Sequence, residues 1–296
     1  DLEGNCVDLP ATGDKDSLKE RIKIAAYPTR EHGGIIWVYM GPRDKQPAPP
    51  SFDWTLYSEP HVAVNKGVQE CNWLQALEGG IDTSHFTILH RALKKNPIQH
   101  AVGVDSPGLK GGAPTLEVDY TDYGYAYYGV RPMDDESRYV RGYHFVMPFT
   151  ALRPPGPDRQ QVHGPYWVPM DDENCMVWNF YYSYGGEDMS TRITDGHSGN
   201  SYGDFIDINN GFRPIRNRSN NWMIDRAIQK TETFTGIQGI NQQDRAVQES
   251  MRPIVDRTPT SALCDDGPRM ELPVSEPRPI KPKLAATAAA VPPDDP

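Results

Sequence analysis

Asp82, His85 and His90 fall within nine residues of one another in the stretch NWLQALEGGIDTSHFTILH, residues 72–90. The side chains around them are largely apolar: Trp73, Leu74, Leu77, Ile81, Phe86, Ile88 and Leu89. Two imidazoles and a carboxylate in such surroundings look like ligands held in a dry pocket. A neutral imidazole suits iron, zinc, copper or nickel. Two His and one carboxylate with positions left open suit a mononuclear Fe(II) site that must still admit O2. Two partly buried histidines bonded to backbone would show the same spacing, so the pattern alone leaves both readings open.

The elements that must position these groups come next. If residues 72–90 are one helix, Asp82 and His85 share a face, being three apart. His85 and His90 are five apart, and at about 100° per residue they point to well different faces. Both reach one metal only if the helix is widened or bent, as at a π-bulge. Gly79-Gly80 supplies a break or hinge just upstream. Residues 61–66 (HVAVNK) read as a strand leading into this helix, with His61 an ordinary strand residue. Residues 91–114, rich in Gly and Pro and containing His100, read as a long loop over an entry channel.

From 115 the period changes to two. Segments 116–120 and 125–130 flank Asp122-Tyr123-Gly124 as a hairpin. Segments 139–147 and 160–169 follow, and 176–183 closes a second hairpin over DDEN, 171–174. Strands joined by short turns give an antiparallel sheet with one face available to a core and a pocket. Aromatic residues crowd these strands, mostly for packing, and a few could line a flat cavity suited to an arene. His144 and His163 read as structural or pocket-polar. Arg131, Arg138 and Arg141 cluster near strand ends, and a carboxylate-bearing ligand would need such groups. Residues 186–218, with His197, read as polar loops. A helix over 221–230 is capped by Ser219 or Asn220. A second begins at Asn241 and stops at Pro253, with Asp244 in its first turn, where the helix dipole favours a carboxylate.

At 296 residues the chain can bury a substantial core. Its net charge of -10 argues against a nucleic-acid surface. No apolar run approaches a membrane span and no signal peptide opens the chain, which reads as soluble and cytoplasmic. Cys6, Cys71, Cys175 and Cys264 show no C-x2-C spacing and read as reduced thiols. Two strand-like segments, 22–25 and 35–40, precede a Pro-rich linker, DKQPAPP (44–50), which places a domain boundary near 47. The tail from Pro277 is rich in Pro and Ala and reads as disordered.

The run N-W-L-Q-x-L-E-G-x-I-D-x-S-H-x-x-x-L-H resembles the iron-binding segment of Rieske non-haem iron oxygenase large subunits, nearest the phthalate 4,5-dioxygenase type. DLEGNCVDLP (1–10) and YPTREHGGIIWVYMGP (27–42) resemble the end of that family's cluster-binding domain. TGIQGINQQDRAVQESMRPIVDRT (235–258) resembles its C-terminal ligand segment. The resemblance implies an α+β fold: a curved antiparallel sheet with helices packed on one side, a helix-grip catalytic domain over 48–275. Residues 1–47 would be the remnant of a β-rich Rieske domain, and 276–296 a disordered tail.

It also implies that Fe(II) is held by His85, His90 and Asp244, with Glu249 as the fallback for the third ligand and Asp256 behind it. Asp82 would link the iron-site histidine to a cluster ligand in a neighbouring subunit of a homotrimer. Electrons would come from NAD(P)H through a flavin and iron–sulfur reductase and a 2Fe-2S Rieske cluster. Such a cluster needs two Cys and two His, usually as C-x-H and C-x2-H pairs. Neither pair occurs in this chain, which reads as a fragment without turnover of its own. The implied reaction is ring dihydroxylation of an aromatic acid with O2. Phthalate-type relatives often carry an Arg where this chain has Tyr125-Ala126-Tyr127, which points away from phthalate itself. The alternatives are O-demethylation of a methoxylated aromatic acid, a non-catalytic module binding apolar ligands, and a zinc hydrolase using Glu78 as its base.

Overall fold

The computed structural model describes residues 1–257 except 12, 14, 100, 111, 155–158, 195 and 197. His100, His197 and the tail 276–296 therefore lie outside the described residues. The period-two segments form one seven-stranded antiparallel sheet. Its strands follow a short helix α1 (Lys15–Lys19) and a separate hairpin of β1 (Thr29–His32) and β2 (Ile35–Val38). They are β3 (Val62–Gln69), β4 (Thr115–Thr121), β5 (Gly124–Pro132), β6 (Arg138–Val146), β7 (Thr150–Leu152), β8 (Gln161–Pro169) and β9 (Cys175–Ser183). The order across the sheet is β3-β9-β8-β7-β6-β5-β4. The α+β expectation therefore holds, with an antiparallel sheet and few helices.

Local chemistry explains the hairpins. Gly33 and Gly34 both take positive φ (61° and 71°), as a two-residue turn twisted like its flanking strands requires. Cross-strand aromatic pairs hold the β5–β6 register: Tyr127 lies opposite Tyr143 with rings 4.8 Å apart, and Tyr125 opposite Phe145. Trp54 is buried, stacks on Phe180 at 4.1 Å and donates its Nε1–H to Tyr166 Oη. Around it Ile35 and Trp37 of β2 pack against the sheet and so share a core with β8 and β9.

Helix α2 (Trp73–Ile81) starts where the Asn72 side chain accepts the Leu74 N–H, and it buries Ala76 and Leu77 with Trp167, Val177 and Cys175. It does not break at Gly79-Gly80. A Cβ at Gly80 would run into the Trp167 ring, and one at Gly79 into Gln248. The two glycines let α2 lie close to β8 on one side and to helix α4 (Ile240–Ser250) on the other. Ahead of α4, the expected helix over 221–230 is shorter. Asn221, Trp222 and Met223 all take φ near +50°, which no helix tolerates. Helix α3 (Arg226–Thr231) begins only after Asp225, whose carboxylate caps Ala227 and Ile228.

Candidate metal centre

Helix α2 ends before the first histidine. Asp82 is its C-cap, with extended backbone (φ -60°, ψ 121°). The Asp82 carboxylate then folds over the next turn, accepting the Ser84 N–H at 2.7 Å and the His85 N–H at 3.1 Å. This turn redirects the chain, and His85–Thr87 form a single 3-10 turn. His90 follows in a further turn, pinned by Val102, whose N–H donates to the His90 carbonyl at 2.6 Å. The widened helix expected from the five-residue spacing is absent. The chain leaves the helix instead, so the 100° rotation that would separate the two imidazoles never applies.

The result is a three-atom convergence. His85 Nε2 lies 3.2 Å from His90 Nε2 and 3.4 Å from Asp244 Oδ1, and His90 Nε2 lies 3.1 Å from the same oxygen. Among the described residues these three form the one group of His, Cys, Asp or Glu placed to hold a metal ion. Each imidazole is fixed from behind. His85 Nδ1 faces Asp82 Oδ2 at 3.3 Å and His90 Nδ1 faces Gln243 Oε1 at 2.8 Å. With both Nδ1 atoms donating, both Nε2 lone pairs point at Asp244 and at each other. Two nitrogen lone pairs and a carboxylate oxygen facing one another repel, and a divalent cation is what satisfies them. The donor set fits Fe(II).

Without a cation, proton charge on the imidazoles satisfies the same cluster. Burial alone would raise the Asp244 pKa, but His90 and His85 outweigh it and hold it at about 2. Burial alone would lower the His90 pKa, yet the charge and hydrogen bond of Asp244 leave it raised. His163 is the contrast. Burial and the nearby Arg153 charge push it down to about 3, and its ring stacks flat on Tyr181 at 4.3 Å. It lines the cavity as a neutral group outside the triad.

The triad opens onto a cavity of about 630 Å³, within the range that houses small organic ligands. Phe86, Tyr143 and Tyr181 supply flat apolar walls. Four arginines also line it, Arg141, Arg153, Arg159 and Arg192. Arg153 donates to the Gly80 carbonyl at 3.3 Å and lies over Trp167. Arg141 donates to the Pro154 carbonyl at 2.8 Å, while its Nε–H is buried without a hydrogen-bond partner.

Helix α4 carries Asp244 five residues before the fallback ligand. Glu249 accepts from the Glu70 N–H and from Trp222 Nε1–H, and belongs to a separate buried network. Asp244 itself lies beyond the first turn of α4, because the helix starts at Ile240 after Gly239. Its low pKa comes from the histidines rather than from the helix end. Glu78, the base that a hydrolase would use, is not among the residues lining the cavity. Of the three expected arginines only Arg141 lines it. Arg131 is buried and donates instead to the Thr83 carbonyl, tying β5 to the turn that carries Asp82 and His85. Sequence reasoning missed Gln243, Arg153, Arg159 and Arg192. Gln243 had a signal, since it adjoins Asp244 in the same motif; the arginines had none, lying on strands and loops far apart in sequence.

Residues 38–266 match the family model described as LigXa C-terminal domain like. The 3-chlorobenzoate-3,4-dioxygenase oxygenase subunit of Comamonas testosteroni is 34% identical over 86% of this chain and 61% of its own length. The phthalate 4,5-dioxygenase oxygenase subunit of Pseudomonas putida is 34% identical over 87% of this chain and 60% of its own. The chain thus spans about three-fifths of the curated relatives it matches. In fold, it resembles the crystal structure of dicamba monooxygenase bound to dicamba, with a TM-score of 0.50 at 13% identity, covering 90% of this chain and 70% of that one.

Proposed function

The chain belongs to the LigXa C-terminal-domain-like family, the catalytic domain of Rieske oxygenase large subunits, and from that premise we propose that it is the oxygen-activating part of a multicomponent oxygenase acting on aromatic acids. The observation that carries this reading is the convergence of His85 Nε2, His90 Nε2 and Asp244 Oδ1 at 3.1–3.4 Å on the edge of a cavity. These three atoms are the ligands, and a ferrous ion bound by them supplies the one-electron chemistry that makes O2 reactive toward an arene. Asp82 and Gln243 hold the two imidazoles in orientation.

The cavity does the rest. Phe86, Tyr143 and Tyr181 sandwich a flat ring and exclude water. The guanidiniums fix a carboxylate, for which paired Arg donors are the strongest recognition available. Arg141 is the best placed of them, since its headgroup lies over two of the aromatic walls, Tyr143 at 5.4 Å and Phe86 at 5.8 Å. The names of the two curated relatives, one a chlorobenzoate and the other a phthalate enzyme, support an aromatic carboxylate.

In this reading residues 1–47 are the end of a cluster-bearing domain and 48–275 form the iron domain. The 2Fe-2S cluster belongs to a longer protein, fed from NAD(P)H by a reductase. Asp82, whose side chain is 45% exposed, offers a carboxylate at once to His85 and to a neighbouring subunit, as electron entry in a homotrimer needs. No helix among the described residues is long and apolar enough to cross a membrane; we place the protein in the cytoplasm.

Hydrogen peroxide, which is O2 already reduced by two electrons, tests the reading without a cluster. The Fe(II)-loaded chain is given oxygen-18-labelled peroxide and 3-chlorobenzoate. Label in a ring-hydroxylated acid is the expected product. Peroxide consumed with no labelled product from any benzoate would contradict the assignment.

A further inference from the structure

Gln243 is buried in the first half of α4 with both ends of its amide engaged. Its Nε2 donates to the Ile237 carbonyl at 2.9 Å. Its Oε1 lies 2.8 Å from His90 Nδ1. The amide cannot turn over. A flip would lose the hydrogen bond to Ile237 and set Oε1 against its carbonyl, two acceptors facing each other in a buried site. The orientation of Gln243 is therefore fixed by backbone, and it leaves His90 one arrangement: a proton on Nδ1.

We propose that Gln243 is a positioning residue that selects the Nε2-ligating tautomer of His90 and so readies the centre for its metal. The proposal rests on the triad being a metal site. Without an acceptor behind it, His90 has an attractive alternative. It can carry its single proton on Nε2 and donate to Asp244 Oδ1, which is only 3.1 Å away. That tautomer satisfies both groups and blocks the ligand position with a hydrogen bond. Gln243 counters it by rewarding a proton on the other nitrogen.

The choice of an amide has a physical reason. A carboxylate would orient the ring equally well, as Asp82 does for His85. But the His90 side chain is 3% exposed, against 24% for His85. A second buried carboxylate beside Asp244 would have to be desolvated and would repel the first. A neutral acceptor fixes the tautomer without adding charge. Its own orientation is inherited from Ile237, so the relay runs from backbone to amide to imidazole.

The test uses Co(II) as a spectroscopic stand-in for Fe(II), titrated into the anaerobic 296-residue chain. Gln243→Leu keeps the size and removes the acceptor. Gln243→Glu keeps an acceptor, since its protonated form can donate to Ile237 and accept from His90. The expected result is that Gln243→Leu binds Co(II) roughly 10–100-fold more weakly, with altered visible bands, while Gln243→Glu stays much closer to the native chain. Equal affinities and identical bands for native chain and Gln243→Leu overturn the proposal. If Gln243→Leu fails to fold, nitrogen-15 NMR of the native chain loaded with Zn(II) decides: Nε2 bound and Nδ1 protonated on His90 supports it, and the reverse overturns it. A native chain that binds neither metal sinks the metal-site reading itself, which is a different outcome from a native chain that binds and a Gln243→Leu chain that binds equally well.

Discussion

The two histidines face each other across 3.2 Å yet are held in opposite ways. His85 stands on a single turn beyond α2, with an exposed carboxylate behind it. His90 is almost fully buried, pinned through its carbonyl by Val102 and through its ring by an amide of α4. One side of the centre is wet and charged; the other is dry and neutral at its outer edge. A charge near water is solvated and can serve a neighbour, whereas a charge in the interior must find its own partner. The difference assigns rigid placement to the α4 side and exchange with the outside to the 82–87 side. The same rule separates two imidazoles of the cavity: Asp244 raises His90, while Arg153 helps depress His163.

That contrast can be broken in several ways. The largest expected effect is on the metal-free chain. His90→Ala leaves Gln243 Oε1 buried without a donor and opens a hole, and should cost about 2–4 kcal/mol in urea unfolding. His85→Ala, at a position 24% exposed whose partner Asp82 remains in water, should cost less, about 1 kcal/mol. Equal losses would mean that the two sides are not built differently. Next comes the packing that brings the sides together. Gly80→Ala drives a methyl group into Trp167, and should lose about 1–2 kcal/mol while lowering metal occupancy; native stability in that variant would show that α2 has room to spare.

A smaller effect on the metal is expected from Asp82→Asn. The amide oxygen still accepts from His85 Nδ1, so iron affinity should stay within about tenfold. Electron delivery in the cluster-bearing protein should fall sharply because the shared charge is gone. Stopped-flow reduction under single-turnover conditions separates the two, and an unchanged rate would remove Asp82 from electron entry. The last is a slope rather than a loss. His163 titrates at about 3 in the folded chain and near 6.5 when unfolded. Between those values the unfolded state binds the extra proton, so stability falls as pH drops through that window. His163→Leu should flatten that part of the pH–stability curve, and an unaltered curve would show that His163 is accessible to protons in the fold.

Much of this was legible in the sequence, for physical reasons. Strands β4, β5, β6, β8 and β9 announced themselves by alternation and by turn residues such as Gly124, and each lies within two residues of its expected span. His85 and His90 stood out by residue type and spacing, whereas Asp244 came only from the resemblance of 235–258 to the family's ligand segment. What escaped was set by close approach. Gly79 and Gly80 look like a hinge on paper, but only the neighbours Gln248 and Trp167 reveal them as contact points. The end of α2 at Asp82 was hidden because a carboxylate can cap a turn as readily as it can decorate a helix. Arg131 read as one of an arginine cluster near strand ends, and only the fold shows its guanidinium buried on the Thr83 carbonyl.

The central claim is that His85, His90 and Asp244 hold one ferrous ion. Iron content of the chain, purified and reconstituted with Fe(II) without oxygen, tests it directly beside His85→Ala. The account predicts one iron per native chain and none retained by the variant. Substoichiometric iron in the native chain, or equal iron in both, would contradict it.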